Sequence, residues 1–147
     1  MKRFIISGIL LTVSIMLFAG NAFSRDTEFY YSKANENLAS GKMQDAVNNY
    51  NKIIKEDKDF FEAYIGLSIA YREIGQLEKA IEAVDYALKL KPDYYQAYYN
   101  KGLILERQNK CSDALDAYEK FLKNTKGADR FSDVKQRISK IKQTCGK

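Results

Sequence analysis

The sequence has no histidine, no tryptophan, one proline and two cysteines in 147 residues. Histidine is the side chain that most often acts as a general base near neutral pH and most often binds transition metals. Its absence argues against most hydrolytic and metal-dependent enzymes. Two cysteines alone cannot supply the usual zinc site of cysteine and histidine ligands. The composition therefore predicts a protein with no catalytic residues, no metal site and no cofactor.

What the chain does contain is typical of one globular domain. Hydrophobic residues make up 46% and charged residues 29% of the sequence, and the length suits a single core. The low counts of proline and cysteine, with only eight glycines, exclude collagen-like, low-complexity and disulfide-dense chains.

The first residues have the order of a secretory signal peptide. Lys2 and Arg3 form a basic start, an apolar run follows over residues 4–18, and small residues come next. We expect cleavage after Ala22, which makes residues 1–22 the signal peptide. Cleavage after Ser24 would also suit the preference for small residues.

Export predicts a periplasmic or secreted location, in which two cysteines can be oxidised. The alternative is an inner-membrane anchor formed by residues 4–18. This run of about fifteen apolar residues is shorter than the roughly 20 that a membrane-spanning helix needs, so we favour cleavage.

A period of 34 residues organises the rest of the chain. Stepping by 34 places tyrosine on tyrosine, alanine on alanine and turn-forming residues on one another. The aligned sets are Tyr30, Tyr64 and Tyr98; Ala34, Ser68 and Gly102; Gly41, Gly75 and Asn109; and Ala46, Ala80 and Ala114. The period predicts three copies, over residues 27–60, 61–94 and 95–128.

Each copy has the pattern of two helices joined by a turn. In the middle copy, apolar residues from Tyr64 to Ile74 recur three or four positions apart, which is typical of one helical face. Gly75 interrupts the pattern, because glycine adopts turn conformations that other residues avoid. A second apolar stripe follows. Asp59 and Glu62 have the spacing of a capping box and predict the start of the first helix.

These residues resemble the tetratricopeptide repeat. The middle copy matches best, through Tyr64, Leu67, Ser68, Tyr71, Gly75, Ala80, Val84, Ala87 and Pro92. The resemblance covers about two-thirds of the chain and implies an all-α fold, an α-solenoid of three helix-turn-helix repeats. Such families are mostly protein-binding scaffolds with unrelated partners, so the resemblance implies binding without naming the partner.

Some members of this family clamp the terminal carboxylate of cytosolic heat-shock chaperones with lysine, asparagine and arginine side chains. Asn35 fits one of these positions. Tyr31, Gly66, Gln96 and Asn100 occupy the others, so the resemblance does not carry this clamp over.

The end of the chain predicts a capping helix over residues 129–145. Phe131, Val134, Ile138 and Ile141 form a narrow apolar stripe, and the remaining positions are mostly polar. A solenoid needs such a helix, with one apolar and one polar face, to close its open end.

The two cysteines are expected to meet. Cys111 opens the second helix of the third copy, and Cys145 lies at the far end of the capping helix on the stripe of Ile141. Because successive helices run antiparallel in this architecture, the end of the capping helix returns to the start of the helix before it. We predict a Cys111–Cys145 disulfide. The alternative is two buried thiols that act as small apolar side chains.

The partner groove that the resemblance implies is the concave surface, which the first helix of each copy lines. The candidate groove residues are Tyr31, Asn35, Leu38, Ile65, Ile69, Arg72, Tyr99, Leu103 and Glu106. Aromatic and aliphatic side chains flanked by charges suit an extended or helical peptide. The alternative for each of them is ordinary packing between neighbouring first helices.

Charge is distributed unevenly along the chain, whose formal net charge is +5. From Lys120 onward there are nine lysines or arginines against two aspartates. This basic end gives a second, weaker expectation of contact with an anionic membrane surface. The simpler interpretation is the solvated face of a capping helix. Nucleic acid is not an expected partner for an exported protein.

Together these patterns predict a non-catalytic protein-protein interaction scaffold of the periplasm or cell envelope, which binds a peptide or protein in its groove. One alternative is a membrane-tethered subunit of an envelope assembly or secretion complex. Another is a self-associating solenoid, a homo-oligomer stacked through Tyr30 and its neighbours.

Overall fold

The computed structural model describes residues 25–125 and 131–145. Within these ranges the chain forms seven α-helices and no β-strand. They are α1 (residues 25–39), α2 (Met43–Glu56), α3 (Phe61–Glu73), α4 (Leu77–Leu90), α5 (Tyr95–Arg107), α6 (Cys111–Asn124) and α7 (Ser132–Cys145). The all-α architecture predicted from the sequence period is confirmed.

Short turns join the two helices of each pair, and the turn residues repeat with the 34-residue period. Gly41 and Gly75 have φ of 76° and 80°, and Asn109 follows with φ of 56°. This left-handed conformation favours glycine and, among other residues, asparagine. It reverses the chain after α1, α3 and α5, so that α2, α4 and α6 pack antiparallel against them.

Small side chains let the helices approach closely. Ala46, Ala80 and Ala114 occupy one position in α2, α4 and α6, and all three are completely buried. Three apolar clusters follow the chain and merge at their edges, where half-buried residues such as Tyr71 and Ile81 pack against two of them. The core is therefore a continuous layer between successive helices, as stacking of incomplete units requires.

Two buried tyrosines pack against glycines of the first helices. The ring of Tyr50 in α2 lies where a β-carbon of Gly66 in α3 would be, and the ring of Tyr118 in α6 lies where a β-carbon of Gly102 in α5 would be. Both rings are almost fully buried. A step of 34 from Tyr50 and Gly66 leads to Val84 and Asn100, so this tyrosine–glycine contact is not repeated in the next copy.

The structure corrects the expected start of α3. Phe60 occupies the N-cap position, and no side chain caps the helix, so the capping box of Asp59 and Glu62 is wrong. The carboxylate of Asp57 accepts a hydrogen bond from the backbone N–H of Asp59 at 2.9 Å instead. Aspartate often forms this kind of local turn. It gives the backbone N–H of Asp59 a partner outside the helix.

The last helix closes the stack as predicted. α7 begins at Ser132 rather than at residue 129, and Phe131 lies just before it. Val134 and Ile141 are buried, and Phe131 packs against the ring of Phe121 at 4.9 Å. One narrow apolar face of α7 therefore covers α6, while the rest of the helix is polar.

The cysteines lie together at the far end of α7. The Cα atoms of Cys111 and Cys145 are 6.3 Å apart, and the sulfur atoms are at disulfide distance. The expected signal peptide (residues 1–22) and the alternative anchor (residues 4–18) lie outside the described residues. Among the helices that are described, none is both long and apolar enough to span a membrane.

Candidate functional site

The candidate groove residues share one face of the first helices. They come from α1, α3 and α5 at three positions, each repeated by the 34-residue step. Helix α3 also packs directly against α5, which places these two helices side by side. Eight of the nine residues are half-buried and Asn35 is exposed. We refer to this surface as the groove.

The aromatic residues of the groove also belong to the core. The ring of Tyr31 meets Phe60 at 5.3 Å and Tyr50 at 6.4 Å. Tyr99 packs in the same way against Phe121 at 5.4 Å. Ile65, at the corresponding position of α3, packs against the cluster around Val84. These half-buried residues therefore belong partly to the core and partly to the groove surface.

The second row of groove residues, Asn35, Ile69 and Leu103, offers more contact surface to a partner. Ile69 is half-buried, and it is absent from all three core clusters of the described residues. Leu103, at the same position of α5, packs partly against the cluster of Tyr118. Asn35 accepts a hydrogen bond from the Tyr50 hydroxyl at 2.6 Å. This row consequently has an apolar centre and a polar end.

Arg72 is fixed by a buried polar network. Its guanidinium donates to the side-chain oxygen of Asn100 at 2.6 Å, and the Asn100 amide donates in turn to Ser68. Ser68 donates to the backbone carbonyl of Ile65 at 2.7 Å. Asn100 and Ser68 are buried, where satisfied polar groups specify one arrangement. The network holds α5 against α3 and gives Arg72 one orientation.

Leu38 occupies the position in α1 that corresponds to Arg72 in α3. It packs against the first core cluster.

Glu73 connects Arg72 to Arg107. Its carboxylate lies 2.8 Å from Arg72 and 3.4 Å from Arg107. The hydrogen bond from Arg72 holds the pKa of Glu73 below its usual range, and the charges of both arginines act in the same direction against the effect of burial. Arg107 also donates to the backbone carbonyl of Arg72 at 2.7 Å.

Glu106 sits between a buried phenol and a cation from α7. The Tyr118 hydroxyl donates to its carboxylate at 2.8 Å, and Arg137 approaches the same oxygen at 3.0 Å. Burial raises the pKa of Tyr118, and the hydrogen bond and charge of Glu106 raise it further. Burial alone would lower the pKa of Arg137, but the hydrogen bond and charge of Glu106 raise it overall.

The sequence analysis missed the part of the groove that α7 supplies. Arg137 contacts Glu106, and Asp133 accepts a hydrogen bond from the Tyr99 hydroxyl at 3.4 Å. The repeat contained the signal, because a further step of 34 from Tyr99 and Leu103 leads to Asp133 and Arg137. The capping helix α7 thus takes the place that the first helix of a fourth copy would occupy, and it continues the groove.

These side chains enclose a pocket at the α7 end of the groove. Its volume is about 400 Å³, and its walls are Arg72, Leu103, Glu106, Arg107 and Arg137. We refer to it as the arginine pocket. Three of the five lining residues are cationic and one is anionic, and Glu73 beside the pocket pairs with two of the cations. The three arginines and two glutamates together carry a formal charge of +1.

A second type of cavity lies away from the groove. Two crevices of about 310 Å³ are related by the 34-residue step, one in the second copy and one in the third. The first is aromatic, with Tyr64 and Tyr86 rings 4.5 Å apart, whereas Lys120 takes the place of Tyr86 in the other. Within the described residues, no cluster of acidic or cysteine side chains could hold a metal ion.

Comparisons with known proteins agree with this architecture. The family model described as tetratricopeptide repeat matches residues 31–95 and 67–129. DnaJ homolog subfamily C member 3 of Homo sapiens is 24% identical over 115 residues, which cover 78% of this chain and 23% of that protein. The chain thus spans about a quarter of the length of the first curated relatives that it matches.

Two solved structures illustrate the shared fold. The first tetratricopeptide repeat domain of Spaghetti (RPAP3), bound to the HSP90 peptide SRMEEVD, superposes with a TM-score of 0.77 at 20% identity. The match covers 84% of this chain and 95% of that one. The crystal structure of MamA gives a TM-score of 0.76 at 28% identity, over 82% of this chain and 68% of that one.

Proposed function

Because the chain belongs to the tetratricopeptide-repeat family, we propose that it is a non-catalytic scaffold of the periplasm or cell envelope. It binds a segment of a partner protein in the groove formed by α1, α3, α5 and α7. The fold is that of a protein-interaction module, and the envelope location is the part of the proposal that derives from the signal-like start of the sequence.

The observation that carries the proposal is the apolar row at the centre of the groove. Ile69 is half-buried without belonging to a core cluster, and Leu103 continues the row toward the arginine pocket. Polar side chains that already have fixed partners border it, among them Asn35 and Arg72. Such preorganised surfaces bind peptides at low entropic cost.

The structural neighbours support this mode of binding. The Spaghetti domain was solved with the HSP90 peptide SRMEEVD. The present chain has Tyr31, Gly66 and Asn100 at clamp positions, and Tyr31 packs against Phe60. We therefore expect the general mode of recognition to be shared, and the identity of the peptide to differ.

The groove can be tested with one apolar-to-polar substitution and a matched control. Ile69→Ser removes the apolar centre of the groove. Leu90→Ser removes a half-buried leucine of α4 that is also outside the core clusters. Partners would be captured by cross-linking in the native envelope and identified by mass spectrometry, with circular dichroism to verify the fold of each variant.

We expect Ile69→Ser to lower recovery of the bound partner about tenfold, as the loss of a central apolar contact does. Leu90→Ser should leave it unchanged. Equal recovery with both variants would contradict the groove assignment. The envelope location would be supported by a mature chain that begins at Phe23 and contradicted by an intact N-terminus in the cytoplasm.

A further inference from the structure

We propose that the arginine pocket binds a carboxylate of the partner, so that the preferred partner segment carries an aspartate or glutamate next to apolar residues. This inference depends on the proposed function, because it assigns a ligand chemistry to one end of the groove.

Three helices contribute one cation each to the pocket. Arg72 comes from the end of α3, Arg107 from the end of α5 and Arg137 from the middle of α7. The side chains of Arg107 and Arg137 are 49% and 41% exposed, whereas that of Arg72 is 14% exposed. Two guanidinium groups therefore remain accessible to a ligand, above a third that is fixed.

The fixed arginine organises the other two. Arg72 is held by Asn100 and Glu73, and its backbone carbonyl accepts a hydrogen bond from Arg107. Glu106, which the Tyr118 hydroxyl holds in place, positions Arg137. A guanidinium group has five N–H donors in a rigid plane and binds carboxylates in a bidentate way. These contacts use only some of the donors of Arg107 and Arg137.

The shape of the surroundings selects an amphipathic segment rather than a free anion. Leu103 forms an apolar wall of the pocket, and Ile69 lies one repeat away at the same helix position. A segment with an apolar side chain on this row would place a neighbouring acidic side chain at the arginines. A strongly basic segment would meet like charges there.

Glu106 acts as an internal competitor in this arrangement. It is the one acidic residue that lines the pocket, and its carboxylate occupies part of the hydrogen-bonding capacity of Arg137. An incoming carboxylate must share Arg137 with it. Neutralising Glu106 while keeping its shape should therefore favour an acidic ligand, whereas a purely structural role for Glu106 predicts no gain.

The test uses peptides as probes. Peptides that bind the protein, purified from the cells that make it, would be selected from a phage-displayed library of random 12-residue peptides. Selected peptides would be synthesised in two forms, one as selected and one with every Asp and Glu changed to the amide. Fluorescence anisotropy at low and high salt would measure their affinities for the wild type and the variants.

Five variants separate the pocket from the groove. Arg107→Gln alone, and together with Arg137→Gln, remove one or two pocket cations. Lys55→Gln with Lys123→Gln removes two exposed cations of α2 and α6 as a control for net charge. Glu106→Gln removes the competitor, and Ile69→Ser tests the groove itself.

We expect the selected peptides to be enriched in acidic residues and to bind the double arginine variant at least tenfold more weakly. The lysine control should change affinity less than twofold. The amide form of each peptide should bind weakly and be insensitive to the arginine substitutions. Glu106→Gln should bind the acidic form several-fold more tightly, and high salt should weaken that binding.

Two results overturn the inference while leaving the groove intact. One is a set of selected peptides that need Ile69 but lack acidic residues. The other is an acidic peptide whose affinity is the same in the wild type, the Arg107→Gln variant and the double arginine variant. If peptides bind equally well to Ile69→Ser, the proposed function itself fails, and the two failures are thereby distinguished.

Discussion

At the residue scale, two tyrosines link the core to the groove. Tyr50 and Tyr118 are almost fully buried, but their hydroxyls reach Asn35 and Glu106 at the inner surface. A buried hydroxyl without a partner would destabilise the fold. The two side chains therefore stabilise the helix pairs and orient polar groups of the groove at the same time.

Both tyrosines should make the protein sensitive to alkaline pH. Burial raises the pKa of Tyr50 and of Tyr118 above the ordinary value near 10. A raised pKa in the folded state contributes stability that is complete below the pKa of the unfolded chain. Above about pH 10 the unfolded chain loses phenolic protons that the folded state retains, so the free energy of unfolding should fall by about 1.4 kcal/mol per pH unit for each tyrosine.

Urea denaturation between pH 8 and pH 11 measures this slope. Tyr118→Phe should lower stability near pH 8, because it removes the hydrogen bond to Glu106, and should make the decline above pH 10 shallower. Tyr86→Phe, at a tyrosine that is 39% exposed, serves as the control. A slope that Tyr118→Phe leaves unchanged would contradict the role of burial.

At the element scale, the three left-handed turns define where helices reverse. Gly41, Gly75 and Asn109 share the conformation, and the space around a β-carbon at Gly75 is open. The cost of replacing this glycine should therefore come from the backbone and not from a clash.

We expect Gly75→Ala to lower the free energy of unfolding by about 1 kcal/mol, since alanine avoids the left-handed region. Gly75→Asn should lower it less, because asparagine adopts this conformation more readily and does so at position 109. Thermal unfolding followed by circular dichroism would compare the two variants. An equal loss for alanine and asparagine would mean that the turn conformation does not limit stability.

The helices could be predicted from the sequence because the repeat places the same physical requirement at the same position three times. The left-handed turn at Gly41, Gly75 and Asn109 is one example. The start of α3 could not be predicted in this way. Aspartate can bond to its own turn or cap a helix, and only the three-dimensional path shows that Asp57 does the former while Asp59 does not cap.

At the scale of the whole molecule, the groove depends on how α7 is attached. Arg137 and Asp133 complete the groove, and α7 buries only Val134 and Ile141 fully. Cys145, at the far end of this helix, lies at disulfide distance from Cys111 in α6. We predict that a disulfide there holds α7 in place.

Thiol labelling of the unreduced, denatured protein should therefore detect no reactive cysteine. In the chain-entropy model, opening a loop of this length lowers the free energy of unfolding by roughly 3–4 kcal/mol, which chemical denaturation with and without reductant would measure. The Cys111→Ser and Cys145→Ser double variant should match the reduced protein. Labelling of two thiols would show that the bridge does not form.

The groove was only partly predictable. The sequence period places nine residues on one surface, but it does not show that Tyr31 and Tyr99 are largely used for packing or that Ile69 is not. Such distinctions depend on side chains that are distant in the sequence, such as Phe60 and Phe121. The roles of Arg107 and Arg137 were missed because their partners, Glu73 and Glu106, become neighbours only after the copies stack.

The count of helices in the described residues is odd, and this sets the direction of the last helix relative to the first. Since each helix reverses the one before, α1 and α7 point the same way. The start of α1 and the end of α7 consequently lie at opposite edges of the layer of helices. A fluorophore or affinity handle attached after α7 would therefore stand away from the start of α1 and leave that edge of the molecule unobstructed.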